Sequence, residues 1–376
     1  MKIKTLTTCF LFALALSSCI RDEALNSEAA IDACVGSDVQ MANINADSKV
    51  VNVYVHKGAD LAKQQLTFTI PFGASLKPSE SKAGDTATTY DFSASDHSRN
   101  FTVTSEDGNW TATYKVNVVL TEMPLTYHFE DLLESNNTPY EIFYEFDQGS
   151  SQEISKLVQW SSGNPGFKLT GMANSKSDYP TVQAAAGKVG KCVKLETRDT
   201  GSFGAMVKMY IAAGNLFIGS FDLSTALTDP RKSTRFGFQF YKKPTSLKGY
   251  YKYKAGDVFT IDGQPQSGIK DKCDIYAVMY EASDNSFMLN GDDVFTSSKV
   301  VLLARISKED VVESNEWTEF NLPFEAKNGL TIDPQKLNAG KYKLAIVLSS
   351  SLDGANFKGA VGSTLYVDEI EIVCED

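Results

Sequence analysis

The chain has 376 residues with 42% hydrophobic and 11% aromatic content, ample for two ordinary domains and too apolar for a chain that stays unfolded. Its net charge of -11 excludes nucleic acid and anionic lipid as natural partners, because a phosphate-binding surface has to be basic, and it favours a neutral ligand. Six cysteines form no CxxC pair and have no histidines nearby, which speaks against a zinc site.

Residues 1–18 read as an export signal: a short basic start at Met1 to Lys4, an apolar run from Thr5 to Leu16, and small residues before Cys19. The run stops well short of the ~20 apolar residues a membrane span requires. Leu16-Ser17-Ser18-Cys19 resembles the bacterial lipobox, in which the cysteine is acylated, so Cys19 is the expected lipid anchor. Asp22 and Glu23 resemble the acidic signal that sends Bacteroidetes lipoproteins to the outer face of the outer membrane. The expected location is therefore the outer membrane, lipid-anchored and facing the exterior. Residues 19–33 read as a polar tether.

From Cys34 the pattern alternates with period two: Val51, Val53 and Val55, then Leu66, Phe68 and Ile70, then Phe101 and Val103, then Trp110, Ala112, Tyr114, Val116, Val118 and Leu120. Asp107-Gly108 supplies a hairpin turn before the last of these strands. About seven short strands over residues 34–122 predict an immunoglobulin-like β-sandwich. Pro124 follows a finished strand and marks the boundary. Residues 123–376 are again strand-rich, at Val193 to Leu195, Ala205 to Ile211, Phe236 to Tyr241, Ile275 to Tyr280, Val300 to Ile306, Trp317 to Leu322, Tyr342 to Leu348 and Leu365 to Val373. Helical spacing is confined to Glu153–Trp160 and Ile306–Val312. The fold class is thus all-β, with a larger jelly-roll β-sandwich as the second domain. Buried free thiols are the default for Cys34, Cys192, Cys273 and Cys374, and a Cys192–Cys374 bridge is open if the first and last strands of this domain are neighbours.

The second domain carries a recognisable series of motifs. Trp160-Ser161-Ser162-Gly163-Asn164, Ala212 to Phe221, Arg235-Phe236-Gly237-Phe238, Lys248-Gly249-Tyr250-Tyr251-Lys252-Tyr253, Ser349-Ser350-Ser351, and Phe357 to Ile370 resemble the Bacteroidetes putative carbohydrate metabolism domain. The resemblance covers most of Pro124 to Asp376, and an immunoglobulin-like first domain suits that family's architecture. It implies a lipoprotein whose jelly roll is similar to carbohydrate-binding modules. The implied partner is a polysaccharide or oligosaccharide, alongside protein partners of a glycan-uptake or adhesion system. Glycoside hydrolysis and cell adhesion stay open as alternatives.

Catalysis finds little support in the residues. A glycosidase needs two carboxyl groups about 5 Å apart for retention or roughly 6.5–9.5 Å for inversion. The candidates Asp147, Glu281, Asp284, Asp292 and Asp293 are loop carboxylates of the ordinary kind. No HExxH and no Gly-x-Ser-x-Gly occurs, so no catalytic residue is assigned. Gly187 to Lys191 has the flavour of a phosphate loop with the wrong spacing, and reads as a turn. Sugar binding demands less: flat aromatic faces for the pyranose ring and polar groups for its hydroxyls. Tyr250, Tyr251 and Tyr253, Trp160 with Asn164, and Trp317 are the expected contacts, Tyr251 and Tyr253 sharing one strand face and Tyr250 the other. No cofactor is implied except a structural calcium. Tyr127 to Asp131 and Tyr366 to Glu369 look like the paired segments that hold calcium in several jelly-roll carbohydrate-binding families, with Glu130 and Asp368 as ligands.

Overall fold

The structure is a computed structural model that describes residues 25–133, 138–146, 156–282 and 284–375. The signal segment, Cys19 and Asp147 lie outside the described residues. Among the described residues no helix is long and apolar enough to cross a membrane.

The amino-terminal domain is built on a five-stranded sheet in the order Val39–Asn45, Val50–His56, Thr111–Thr121, Ser98–Thr104, Ser75–Pro78. Val50–His56 and Thr111–Thr121 run parallel, the other neighbours antiparallel. Val51, Val53, Val55, Phe101, Val103, Tyr114, Val116 and Val118 close one core with Leu66, Tyr90 and Phe92. Trp110 is an exception to the alternation: it ends the turn containing Gly108 (φ 70°), stays 62% exposed, and its carbonyl accepts from Ser105 N at 3.0 Å.

The large domain stacks two antiparallel sheets as a jelly-roll sandwich. The smaller runs Thr181–Ala184, Cys192–Glu196, Thr364–Cys374, Pro244–Lys254, Ser314–Pro323, with Thr126–Tyr127 also paired to Thr364–Cys374. The larger follows the order Asp131–Leu132, Phe143–Phe146, Lys156–Ser161, Asn215–Phe221, Tyr342–Ser349, Asp274–Glu281, Val300–Arg305, Glu325–Ala326. Leu247, Tyr251, Tyr253, Leu365, Val367 and Ile372 from the first meet Leu216, Ile218, Ile275, Ala277, Leu344 and Ile346 from the second. The first and last strands of this domain are therefore neighbours, yet all four described cysteines are free.

Three local expectations fail for physical reasons. Lys156–Ser161 is a strand, not a helical turn; Val158, Gln159 and Trp160 are all buried, so the period-two signal is erased. Gly201–Met206 is a short helix where a strand was expected, and Gly204 permits it, since a Cβ there would lie 2.0 Å from Thr200 Oγ1. Residues 307–310 form a turn closed by Asp310 N on Ser307 O at 3.0 Å, with no helix.

Burial of Gln159 comes from the other domain. Gln159 N donates to Tyr54 Oη at 3.1 Å, and its Oε1 accepts from Asn52 Nδ2 at 3.1 Å and Tyr144 Oη at 2.7 Å. Tyr54 and Met41 belong to the core cluster of the large domain, so the two domains share a buried seam. Lys168 pairs with Asp47 across it.

Candidate functional site

The outward face of the smaller sheet is set by simple alternation. In Pro244–Lys254, Leu247, Tyr251 and Tyr253 point in while Lys248, Tyr250, Lys252 and Lys254 point out. In Thr364–Cys374, Leu365 and Val367 are buried and Tyr366 is outward. Lys252 pairs in register with Tyr366, and Tyr366 with Lys194. On the other side Lys252 Nζ stands 4.6 Å from the ring centre of Trp317. Lysine and aromatic side chains thus alternate across four adjacent strands, a row of about 15 Å at the usual strand spacing. Tyr366 and Trp317 are half-buried, which holds the rings in place and leaves part of each in solvent.

A groove of about 540 Å³ opens over Lys194, Tyr366 and Lys252 of this row, between the Ala184–Ala186 segment and Ser314–Asn315, with Trp317 beside it under Lys252. Lys194, Lys252, Lys254, Thr364 and Tyr366 contribute to its floor. That volume is within the usual range for small-ligand sites. Beyond it, Tyr250 lies half-buried on the same face, with Lys188 Nζ 4.7 Å from its ring centre.

Lys188 belongs to a tight turn, Gly187 N donating to Gly190 O at 2.9 Å, and this turn is where the two expected calcium ligands go. Asp368 Oδ2 accepts from Lys188 N at 2.6 Å and Val189 N at 3.0 Å, and Oδ1 from Glu369 N at 2.9 Å. Glu130 Oε1 accepts from Lys191 N at 2.8 Å. The two carboxylates do approach one feature, but the feature is a row of amide hydrogens, whose positive ends repel a cation. Glu130 and Asp368 therefore do not fit a calcium site and act as anchors for the turn. No cluster of three or more His, Cys, Asp or Glu able to hold a metal occurs among the described residues. Burial pushes the Asp368 carboxyl up to about 6 despite its amide donors.

Four of the expected sugar contacts lie in the interior. Tyr251 and Tyr253 are each 1% exposed, and Tyr251 Oη accepts from Val312 N at 3.0 Å. Trp160, also 1% exposed, packs edge-on against Tyr127 and donates to Glu145 Oε1 at 3.2 Å. Asn164 is fully buried, its amide pinned to Thr181 by Nδ2 to O at 2.8 Å and Thr181 N to Oδ1 at 3.2 Å. These four side chains are buried in the sandwich and offer no ring face to a ligand, although Tyr253 borders the groove. Only Tyr250 and Trp317 of the expected set reach the surface face. Tyr366, Lys194, Lys252 and Lys254 went unassigned, although the alternation Leu365, Tyr366, Val367 placed Tyr366 outward.

The closing motif has a structural purpose as well. Asp271 Oδ2, buried, accepts from Ser351 Oγ at 2.6 Å, Ser363 Oγ at 2.7 Å and Ala360 N at 2.8 Å. Thr197 Oγ1 bonds Ser350 Oγ and Ser351 Oγ beside it. Burial raises the Asp271 carboxyl above its ordinary range.

A second concavity, about 210 Å³, lies on the outer face of the larger sheet. Phe217, Phe236 and Val347 form its floor, and Phe203, Val207 and Met209 part of its wall. The polar side chains in this lining, among them Thr200, Asn215, Arg231 and Ser351, are already hydrogen-bonded within the protein. The loop carboxylates are committed elsewhere: Glu281 pairs with Lys336 at 2.7 Å, Asp292 with Arg231 at 2.8 Å, and Asp293 Oδ1 accepts from Asn290 N at 2.7 Å. Asp284 Oδ1 accepts from Ser286 N at 2.9 Å. Burial inside the core pushes the Glu145 carboxyl up to about 7.

Comparison with known proteins places this geometry. Residues 128–373 match the family described as putative carbohydrate metabolism domain, and residues 33–118 match that described as SGBP, N-terminal. A crystal structure from Bacteroides thetaiotaomicron VPI-5482, described as a putative glycoside hydrolase, is 44% identical over 95% of this chain and 99% of that one, with a TM-score of 0.81. Another from Bacteroides vulgatus ATCC 8482, described in the same words, is 43% identical over 68% of this chain and 99% of that one, with a TM-score of 0.61. No functionally curated protein matches significantly.

Proposed function

This chain belongs to the putative carbohydrate metabolism domain family, and from that premise we propose that it is a glycan-binding protein whose sugar site is the groove on the outer face of the smaller sheet. One observation carries the reading: Tyr366 and Trp317 lie in a single row with lysines, flat rings partly open to solvent, with Tyr250 on the same face. Pyranose rings stack on such faces, and ammonium groups donate to their hydroxyls. Lysine stems are flexible, so the Lys252 ammonium can leave the Trp317 face at a cost of about 0.5–1 kcal/mol when a sugar takes its place.

Binding is favoured over hydrolysis because the groove lining holds no carboxylate at all. The export signal and Cys19 support a lipid-anchored protein at the outer membrane, with the amino-terminal domain holding the groove away from the lipid. Electrophoresis through gels containing single polysaccharides tests the reading. Retention by one or more glycans is expected, weakened about tenfold, or about 1.4 kcal/mol, in Trp317→Ala and Tyr366→Ala variants that keep their melting temperature. Retention unchanged in both variants would place the sugar elsewhere, and sugar released from the gel glycan would replace binding by catalysis.

A further inference from the structure

The groove differs in charge from the rest of the molecule. The chain carries 47 acidic residues against 36 lysines and arginines, yet the groove is lined by Lys194, Lys252 and Lys254 and by no acid. Lys194 is neutralised by Glu196 at 2.6 Å, which also holds Arg198 at 3.0 Å. Lys252 and Lys254 make no ion pair among the described residues. Their surroundings are rings, hydroxyls and amides: Lys252 stands over Trp317, and Ser314, Asn315 and Thr364 complete that end. An aromatic partner orients a cation without neutralising it, so the charge stays available.

Two outward acids flank the row: Glu196, which shares the register of Thr364 with Lys254, and Glu319, which pairs in register with Tyr250, one pleat beyond Lys252. The face therefore has a polarity: Glu196 is taken up by Lys194 and Arg198, and Glu319 shares the Tyr250 region with Lys188, while Lys252 and Lys254 beside Tyr366 and Trp317 carry uncompensated charge. A neutral sugar draws nothing from that polarity. An anionic one is drawn to Lys252 and Lys254, the two groove lysines that no acid pairs with among the described residues.

We propose that the groove is selective for anionic glycans, Lys252 and Lys254 receiving a carboxylate or sulfate of a sugar whose ring lies on Tyr366 or Trp317. This rests on the glycan-binding reading and adds the substrate class to it. Lysine suits the task because a mobile point charge can follow either group without the fixed fork of an arginine.

The test uses the whole purified chain and matched polymers: polygalacturonate against its carboxyl-reduced form, and a sulfated galactan against its desulfated form. Polyglutamate serves as a polyanion without sugar. At least one acidic polymer should retain the protein about tenfold more strongly than its neutral counterpart, and the advantage should shrink as sodium chloride is raised to about 0.5 M, where charges on an open face are screened. Whichever acidic polymer is retained identifies carboxylate or sulfate as the group received. The Lys252→Gln/Lys254→Gln double variant should lose the acidic preference and keep the weaker neutral retention, whereas Trp317→Ala should weaken both. Equal retention of acidic and neutral partners overturns the charge selectivity and leaves glycan binding standing. Retention of polyglutamate as strong as that of the acidic glycans overturns it too, by reducing it to bulk charge. No retention by any polymer overturns this proposal together with the reading it rests on.

Discussion

The two concave surfaces of the large domain lie on the outer faces of opposite sheets, and they differ in how their side chains are held. The cleft on the larger sheet is floored by Phe217, Phe236 and Val347, residues of a buried apolar cluster, and its walls are short helices and loops rich in apolar side chains. The groove on the smaller sheet is floored by long polar and amphipathic side chains on regular strands, whose spacing is dictated by the ladder itself. A polyhydroxylated ligand needs both a flat apolar face and free donors around it; Lys252 and Lys254 supply such donors at the groove, whereas polar side chains of the cleft such as Asn215, Arg231 and Ser351 are bonded within the protein.

The most forceful way to break this contrast is at the point where the surfaces meet. Ser351 lines the cleft, Ser363 precedes the groove residue Thr364, and both donate to Asp271. Asp271→Ala strands three buried donors and should cost about 3 kcal/mol or more, read as a lower urea midpoint with glycan retention falling alongside. A variant of unchanged midpoint would mean the knot does not join the two.

Glu145 sharpens the contrast from the inside, because it touches neither surface. Its carboxyl is raised from 4.5 to about 7 in the folded protein, so the fold binds its proton more tightly than the unfolded chain does. The stability this contributes is complete below about pH 4.5 and is lost as pH rises to about 7, on the order of 3 kcal/mol at most. Glu145→Gln should flatten that slope in pH-dependent melting and leave retention on acidic glycans at pH 7.5 unaltered. A slope as steep as in the unsubstituted protein would assign the effect to Asp368, Asp271 or His128, which are raised as well.

The architecture was legible in two ways: by alternation where one strand face is wet, at 193–195, 317–322 and 365–373, and by unbroken, mostly apolar runs at 275–280 and 342–348, which are buried on both faces; the predicted strand at 300–306 overruns the observed one by a single residue. The reading failed at Glu153–Trp160, where helical spacing was read across a strand buried at Val158 to Ser161, and at Ala205 to Ile211, where Ala205, Val207, Met209 and Ile211 alternate although the chain there ends the helix Gly201–Met206 and regains a strand only at Ile211. The site was half legible for a related reason. The sequence shows that Tyr250 and Tyr251 oppose each other but not which side is water, and that is decided by the second sheet closing over Tyr251 and Tyr253. Net charge does not say where charge lies. A total of -11 suggested a neutral ligand, while the lysines that matter are gathered on one face by strand register, a property that composition cannot express.

The smallest expected effect comes from Lys188, and its sign separates the two ideas about the groove. Its turn is fixed by Asp368 and Glu130, so removing the side chain leaves the backbone anchors in place. Its ammonium covers Tyr250 at 4.7 Å, a contact worth about 0.5–1 kcal/mol at an exposed site. Lys188→Ala uncovers that ring, so a neutral glycan reaching Tyr250 should be retained about two- to fivefold more strongly, the equivalent of that energy. For an acidic glycan the variant also deletes a cation close to the groove, and the two consequences oppose each other, leaving retention level or slightly reduced. Titrating both polymers against both proteins in one buffer measures the difference. Parallel changes for the neutral and the acidic polymer would show that Lys188 acts only as a cover over Tyr250 and that the field of the groove comes from Lys252 and Lys254 alone.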